Sequence, residues 1–438
     1  MSVRLHRLAA AVVVFMAAAT FSAGTAAQSG GRTAVSARSS AASTSPSAAS
    51  SFHSAVAQVL TLPYQTAYAP SGTDTAFPAS PTPVVNDAPA EDYTSGSIPG
   101  SPDNPPWPSV FKQVTIQSAD GARLIGELAL YPGHHPAVLV VHGFNTNGNE
   151  SIIRWAAMLA ADGYDVLAAD QRDFAAEYKA GYGYPNYLQT FGWKESQDVL
   201  AAGRYLRSQP GVESEGIVGF SEGGQNTVLA AALDTSHIFD AALTFSGPAD
   251  QDTQVYSTAS PPGCSTPACT YPATDALIAL VVPPNSYDDP CQVLEAAATY
   301  YHTTPYTILS HESAVHTQTQ VHIPLLNFYA ADDPLVHSFQ AGMMAGYEQG
   351  NSLQQTVEIQ HGGHAYYFDR WWQQKAILTY FHDLLPGAAA TSEQATVNQT
   401  AGGTPISDQT VSLAGATRAS ADAQLAPYIC DTSQPPPG

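Results

Sequence analysis

Between residues 111 and 385, short and almost continuous apolar runs alternate with segments of helical periodicity, and no other feature constrains the fold as strongly. Val138-Leu139-Val140-Val141 and Leu325-Leu326-Asn327-Phe328-Tyr329 are too short for helices and lack polar alternation, the pattern of strands buried on both faces. Read in order, strands fall over 123–131, 137–141, 165–169, 216–220, 240–245, 324–329 and 356–360. Helices fall over 151–161, 194–207, 223–233, 338–347 and 370–384, with Ile152, Ala156 and Leu159 on one face of the first. This βαβα order predicts an α/β fold: a mostly parallel central sheet flanked by helices, in one domain over residues 111–385. A long irregular stretch at about 249–322 interrupts the series, long enough to form a cap or lid.

The segments outside that body differ in composition. Arg4, His6 and Arg7 precede an apolar run from Leu8 to Ala19, and small residues follow to Thr25-Ala26-Ala27. Residues 1–27 therefore read as a secretory signal peptide cut after Ala27, with Ala26 the second choice. The run spans about 18 Å as a helix against a hydrocarbon core of roughly 30 Å, so export rather than anchoring is expected. Residues 28–110 are dominated by Ser, Ala, Thr, Pro and Gly and read as a disordered linker or pro-segment. Within them, residues 55–68 repeat Val, Leu and Tyr, so a short docked segment is the alternative there. Residues 386–438 again are small and polar and read as a flexible tail, with Cys430 as a tether to the body.

Cys264, Cys269, Cys291 and Cys430 permit three pairings, and export favours disulfides over metal binding. The expected pairs are Cys264 with Cys269 and Cys291 with Cys430. The 37 Asp and Glu against 15 Lys and Arg give a net charge of −22, which excludes a phosphate-reading, nucleic-acid-binding surface. No later apolar run approaches a membrane span, so stable membrane insertion is not expected.

The sharpest chemical signal is Gly219-Phe220-Ser221-Glu222-Gly223-Gly224, set between a strand-like run and a helical one. A serine at so tight a strand-to-helix turn needs small residues two positions before and after it, and Gly219 and Gly223 supply them. Ser221 is the candidate nucleophile. A base and an orienting carboxylate are then required later in the chain, in the order Ser, Asp, His. The strand over 324–329 runs into Ala330-Ala331-Asp332-Asp333-Pro334, and that over 356–360 into His361-Gly362-Gly363-His364. Both fall just past strand C-termini, where open α/β sheets place their ligands. Asp333 is favoured over Asp332, whose role would be capping or bonding loop amides. His364 is favoured over His361 because two glycines give its loop freedom to approach. Backbone donors for an oxyanion are expected at Glu222, directly after the nucleophile, and at Phe144 in the loop His142-Gly143-Phe144-Asn145. His142 itself reads as a loop-packing residue.

His142-Gly143, the Gly219 to Gly223 motif, Asp333 and His364, in this order, resemble the α/β-hydrolase superfamily over essentially all of residues 111–385. The stretch from Ile323 to Pro334, followed by Gly362-Gly363-His364, looks like the branch of serine esterases and lipases. Branches resembling serine aminopeptidases and dienelactone hydrolases lie close by. The sequence departs at Asp170-Gln171-Arg172-Asp173-Phe174-Ala175, where many relatives carry Asp-x-Arg-Gly-x-Gly, which alters the loop at the mouth of the site. The expected activity is hydrolysis of a small-molecule carboxylic ester by an exported enzyme. An aminopeptidase-like amide hydrolase is the alternative, and a non-catalytic cell-surface module of the same fold a further one. No organic cofactor and no metal is implied, since the histidines and cysteines lack metal-site spacing.

Overall fold

The apolar runs become eight strands of one sheet: β1 (Lys112–Gln117), β2 (Arg123–Ala129), β3 (His135–Val141), β4 (Asp165–Ala169), β5 (Val212–Phe220), β6 (Ala241–Phe245), β7 (Leu325–Ala330) and β8 (Gln354–Ile359). Their order across the sheet is β1-β2-β4-β3-β5-β6-β7-β8. The pairs β1–β2 and β2–β4 are antiparallel, and every pair from β4 to β8 is parallel. The structure, a computed structural model, describes residues 46–64, 107, 109–144, 152–172, 189–251, 254, 297–304, 307–308, 314–333, 335–365, 368, 370–385, 387 and 403–425. The helices are α1 (Pro46–Thr61), α2 (Ile153–Ala161), α3 (Glu195–Arg207), α4 (Glu222–Leu233), α5 (Phe339–Glu348), α6 (Arg370–Leu384) and α7 (Arg418–Leu425), with shorter turns between them.

Two cores, one on each face of the sheet, explain why the strand sequences show no polar alternation. Val138, Val140, Phe220, Phe245 and Phe328 point to the face covered by α1, α2 and α6. Leu139, Ile217, Ala242 and Leu325 point to the other, under α3, α4 and α5. On the first face the parallel register sets Phe220 opposite Phe245 and Phe245 opposite Phe328. Their rings stack at 5.5 Å with interplanar angles of 10° and 14°. This aromatic ladder runs beneath the ends of β5, β6 and β7, so it supports the edge from which the candidate site projects.

Every strand and helix expected inside residues 111–385 has a counterpart, with boundaries moved by a few residues at most. β1 was not anticipated, because it is an edge strand of mostly polar residues with only Ile116 fully inside. The larger difference lies in the two flanks. Part of the segment expected to be a disordered linker is α1, on which Phe52, Ala55, Val56 and Val59 are buried, so the docked alternative given for 55–68 holds there and the helix begins earlier, at Pro46. Their spacing places all four on one helical face. Burying each larger side chain contributes about 1.5–3 kcal/mol, which offsets an ordering entropy that the surrounding Ser and Ala cannot. Phe52 meets Tyr380 of α6 edge-on at 6.5 Å, and Gln58 hydrogen bonds Asp383.

The expected flexible tail likewise contains structure. Thr404–Pro405 pairs antiparallel with Pro63–Tyr64, Ile406 is fully buried, and α7 packs on α5 with the Tyr347 hydroxyl on Asp422. The backbone after that ribbon covers the C-terminal end of the β8 edge, where Thr410 bridges Ile359 and the Val411 N–H donates to the Glu358 carbonyl at 2.7 Å. Residues 1–27, the four cysteines and most of 249–322 lie outside the described residues. Among the described residues, no helix is long and apolar enough to cross a membrane.

Candidate active site

Ser221 sits between β5 and α4 with φ 54° and ψ −129°, a left-handed conformation that a side-chain-bearing residue adopts only when its surroundings enforce it. Those surroundings are tight. A Cβ on Gly219 would lie 2.2 Å from the Gly223 carbonyl oxygen, and one on Gly223 would lie 2.2 Å from that of His142. Both glycines are therefore required by close backbone approach, the reason anticipated from the motif. The Ser221 N–H donates to the Phe245 carbonyl at 2.8 Å, tying the turn to β6.

From this turn the Ser221 Oγ lies 2.8 Å from His364 Nε2. On the far side of the ring, Nδ1 lies 3.0 and 2.9 Å from the two carboxylate oxygens of Asp333. Asp333 is held in turn by the amides of Leu335 and Val336, which donate to its Oδ1 at 2.8 and 2.9 Å. The neighbouring carboxylate faces elsewhere: Asp332 Oδ1 accepts from the Gly362 and Gly363 amides at 2.9 Å each, and Oδ2 lies 3.3 Å from His361 Nδ1. The two adjacent aspartates thus diverge, one toward the histidine ring and one toward the backbone that carries it. Asp333 and His364 are 5% and 7% exposed, whereas the His361 side chain is 55% exposed.

The loop after β3 comes up against the serine turn, since a Cβ on Gly143 would lie 2.7 Å from that of Ser221. Its geometry is fixed by His142, which is fully buried. The Gln171 N–H donates to His142 Nε2 at 3.0 Å, so the ring's proton is on Nδ1, which donates to the Gly143 carbonyl at 2.8 Å. Burial pushes the imidazole down to about 4, with the Gly143 bond opposing, so the ring is neutral. Gln171 also donates to the His142 carbonyl at 2.8 Å and accepts from Asn226 of α4. His142 therefore acts as a splint for the loop. Phe144, the next residue, stacks on Phe191 at 5.6 Å. Glu222 is the first residue of α4, so its backbone lies directly after Ser221.

Several polar groups near the site were not singled out from the sequence. The Glu222 side chain is buried and accepts from Gln189. Burial and the nearby Glu195 push its carboxyl up to about 8, with the Gln189 bond opposing. Glu195 binds the Thr190 N–H at 2.7 Å and the Gly192 N–H at 2.8 Å, fixing the Phe191 turn. Arg172 forks onto Asp198 at 2.8 and 2.6 Å and reaches Asp120 at 2.9 Å. The signal for this cluster was Asp170-Gln171-Arg172, where an arginine beside a strand end calls for buried acids. The rest of that divergent motif, Asp173-Phe174-Ala175, lies outside the described residues. Among them, no cluster of His, Cys, Asp or Glu could hold a metal ion.

This topology, with a strained serine after β5, an aspartate after β7 and a histidine after β8, is that of an α/β-hydrolase fold. The model of the dienelactone hydrolase family matches residues 126–270. That span holds the Gly143 loop and Ser221 and ends before Asp333 and His364. A thiohydrolase of Aspergillus aculeatus, aneE, is 33% identical over 127 residues, covering 28% of this chain and 38% of its own length. The chain thus matches well under half of that curated relative. Among solved structures, a DcsB complex with its substrate analogue aligns with TM-score 0.48 and 16% identity, over 63% of this chain and 100% of its own. An esterase of Pyrococcus furiosus aligns with TM-score 0.42 and 16% identity, over 63% of this chain and 93% of its own.

Proposed function

We propose that this chain is an exported serine hydrolase that cleaves a carboxylic ester through an acyl-enzyme on Ser221. The observation that carries the reading is the continuous path from Ser221 Oγ through His364 to Asp333, with contacts of 2.8 and 2.9 Å. In the first half-reaction the Ser221 Oγ attacks the ester carbonyl carbon while His364 Nε2 takes its proton. Asp333 accepts from Nδ1–H, which fixes the tautomer and stabilises the imidazolium. The carbonyl electrons move onto oxygen, where the amides of Glu222 and Phe144 donate to it; one such donor contributes about 10²–10³ in kcat. His364 then protonates the departing alcohol. Water, deprotonated by the same nitrogen, releases the acid and restores the serine.

The low exposure of Asp333 and His364 supports this chemistry, because a dry environment strengthens the interactions on which it depends. Export rests on residues 1–27 and is tested by sequencing the N-terminus of protein recovered from a culture medium. The activity is tested with a fluorophosphonate probe, which should label the protein and fail to label Ser221→Ala. A folded protein that resists the probe would return the chain to the non-catalytic module. Nitrophenyl esters of increasing chain length, compared with aminoacyl and prolyl nitroanilides, decide ester against amide. Faster turnover of the nitroanilides would replace the esterase reading by the peptidase one.

A further inference from the structure

The residues around His364 are in an unfavourable backbone state. Gly363 has φ 62° and Ala365 φ 41°, so the base stands between two left-handed positions, and only one of them is a glycine. Such a loop persists only if its surroundings over-determine it. The constraints on it can be followed peptide by peptide. On one side, Asp332 takes the Gly362 and Gly363 amides. On the other, the Gln360 N–H donates to the Gln409 carbonyl at 2.9 Å, and the His361 carbonyl accepts from the Tyr64 hydroxyl at 2.7 Å. Tyr64 and Gln409 belong to the two flanks, roughly 300 residues ahead of the loop and about 50 after it.

These two residues also hold each other. Gln409 Nε2 donates to the Tyr64 carbonyl at 3.0 Å, and Tyr64 pairs with Thr404 in the ribbon. The Tyr64 ring is 1% exposed and lies edge-on to Trp372 at 5.2 Å, in the helix that follows the histidine loop. Gly403 is needed there, because a Cβ would lie 2.7 Å from the Tyr64 carbonyl oxygen. The hydroxyl of Tyr64 is thus buried, aimed by its own backbone pairing, and donates one residue from the pair of glycines that precede the base.

We propose that Tyr64 is a positioning residue for His364: its hydroxyl, locked by the ribbon between the two flanks, sets the approach of the imidazole to Ser221. This rests on His364 being the general base. Removing the donor frees the His361 peptide and widens the range of positions open to the ring, and small misplacements of a catalytic group are expensive in rate.

The test is Tyr64→Phe in the full chain, which keeps the ring packed on Trp372 and deletes only the donor. The expected result is a fall in kcat of about five- to twentyfold with KM unchanged, and an equal fall in the rate of fluorophosphonate labelling. Hydrogen exchange at the Gly362 and Gly363 amides should speed up in the same variant. Gln58→Ala, which removes the bond from α1 to Asp383, serves as the comparison and should leave kcat where it is. A melting temperature that drops while kcat, labelling and exchange stay at wild-type values would make Tyr64 a packing residue and overturn the proposal. If wild-type protein is not labelled at all, the base reading fails instead, and the exchange measurement still decides whether Tyr64 holds the loop.

Discussion

Ser221 and His364 stand 2.8 Å apart, yet different parts of the chain hold them in place. The serine turn is built from continuous sequence: β5, α4 and glycines whose missing side chains let three backbone segments meet at contact distance. The histidine loop is built from pieces far apart in sequence: Asp332 after β7, Tyr64 from one flank and Gln409 from the other. A turn fixed by sterics tolerates almost no substitution, whereas a loop fixed by separate hydrogen bonds should lose function in steps. The contrast also predicts where sequence patterns can be read, because only the first kind of constraint leaves a compact motif.

The largest effects test the serine side. Ser221→Ala should lower kcat by about 10⁵–10⁶-fold, measured on whichever nitrophenyl ester is turned over fastest. Ser221→Gly should be equally inactive yet more stable by about 1 kcal/mol in urea unfolding, since glycine accepts the positive φ without strain. If it were destabilised, the turn would not be storing strain. Next comes the pair of aspartates. Asp333→Asn should cost about 10⁴-fold in kcat by presenting the wrong partner to Nδ1. Asp332→Asn keeps an acceptor oxygen for the two glycine amides and should cost about tenfold or less, on the order of one weakened charge-assisted bond. Equal losses would remove the distinction between ring partner and loop partner.

The smallest effect concerns the strands that deliver the aspartate and the histidine. Glu348 of α5 sits beneath them, accepting from Asn327 of β7 at 2.9 Å and Thr356 of β8 at 2.6 Å. Burial pushes its carboxyl up to about 7, against the pull of those two bonds. The folded protein therefore holds this proton more tightly than the unfolded chain does. Its contribution is full below the unfolded value near 4.5 and is lost as pH rises through about 7. Glu348→Gln should leave stability near pH 4.5 almost unchanged and raise it at pH 8 by on the order of 1–3 kcal/mol. Chemical denaturation at the two pH values checks this, and an equal shift at both would show that the carboxyl stays charged.

The sheet, its helices and the residues that meet at the site were legible because each followed a local rule. Val138 to Val141 gave a strand buried on two faces, and Gly219 to Gly223 gave the turn. The choice of Asp333 over Asp332 rests on its place as the fourth residue of Ala330-x-x-Asp, directly before Pro334, and in the structure it is Asp333 that faces the ring. What stayed hidden were long-range pairings. Phe52, Ala55, Val56 and Val59 have helical spacing, but they are diluted by serine and alanine and faced no visible partner until α6 was placed. Tyr64 falls in the stretch 55–68 whose Val, Leu and Tyr gave the docked alternative, but its particular role was hidden, because it lies in a hydroxyl aimed at a carbonyl 297 positions away. The Glu222 and Glu195 carboxyls were missed for a related reason: nothing in a sequence window says that two acids will share one buried space.

The backbone at 409–411 that covers the end of the β8 edge matters to anyone producing this protein in the laboratory. A chain trimmed to residues 111–385, the limits suggested by the alternating pattern, would leave the backbone groups of residues 358–360 at the end of β8 unpaired. It would also uncover the apolar stripe of α6 on which Phe52, Val56 and Val59 rest. Bare strand edges and exposed apolar stripes are what drive chains to aggregate. The trimmed protein should therefore form inclusion bodies where the longer one, retaining residues 46–425, stays in solution.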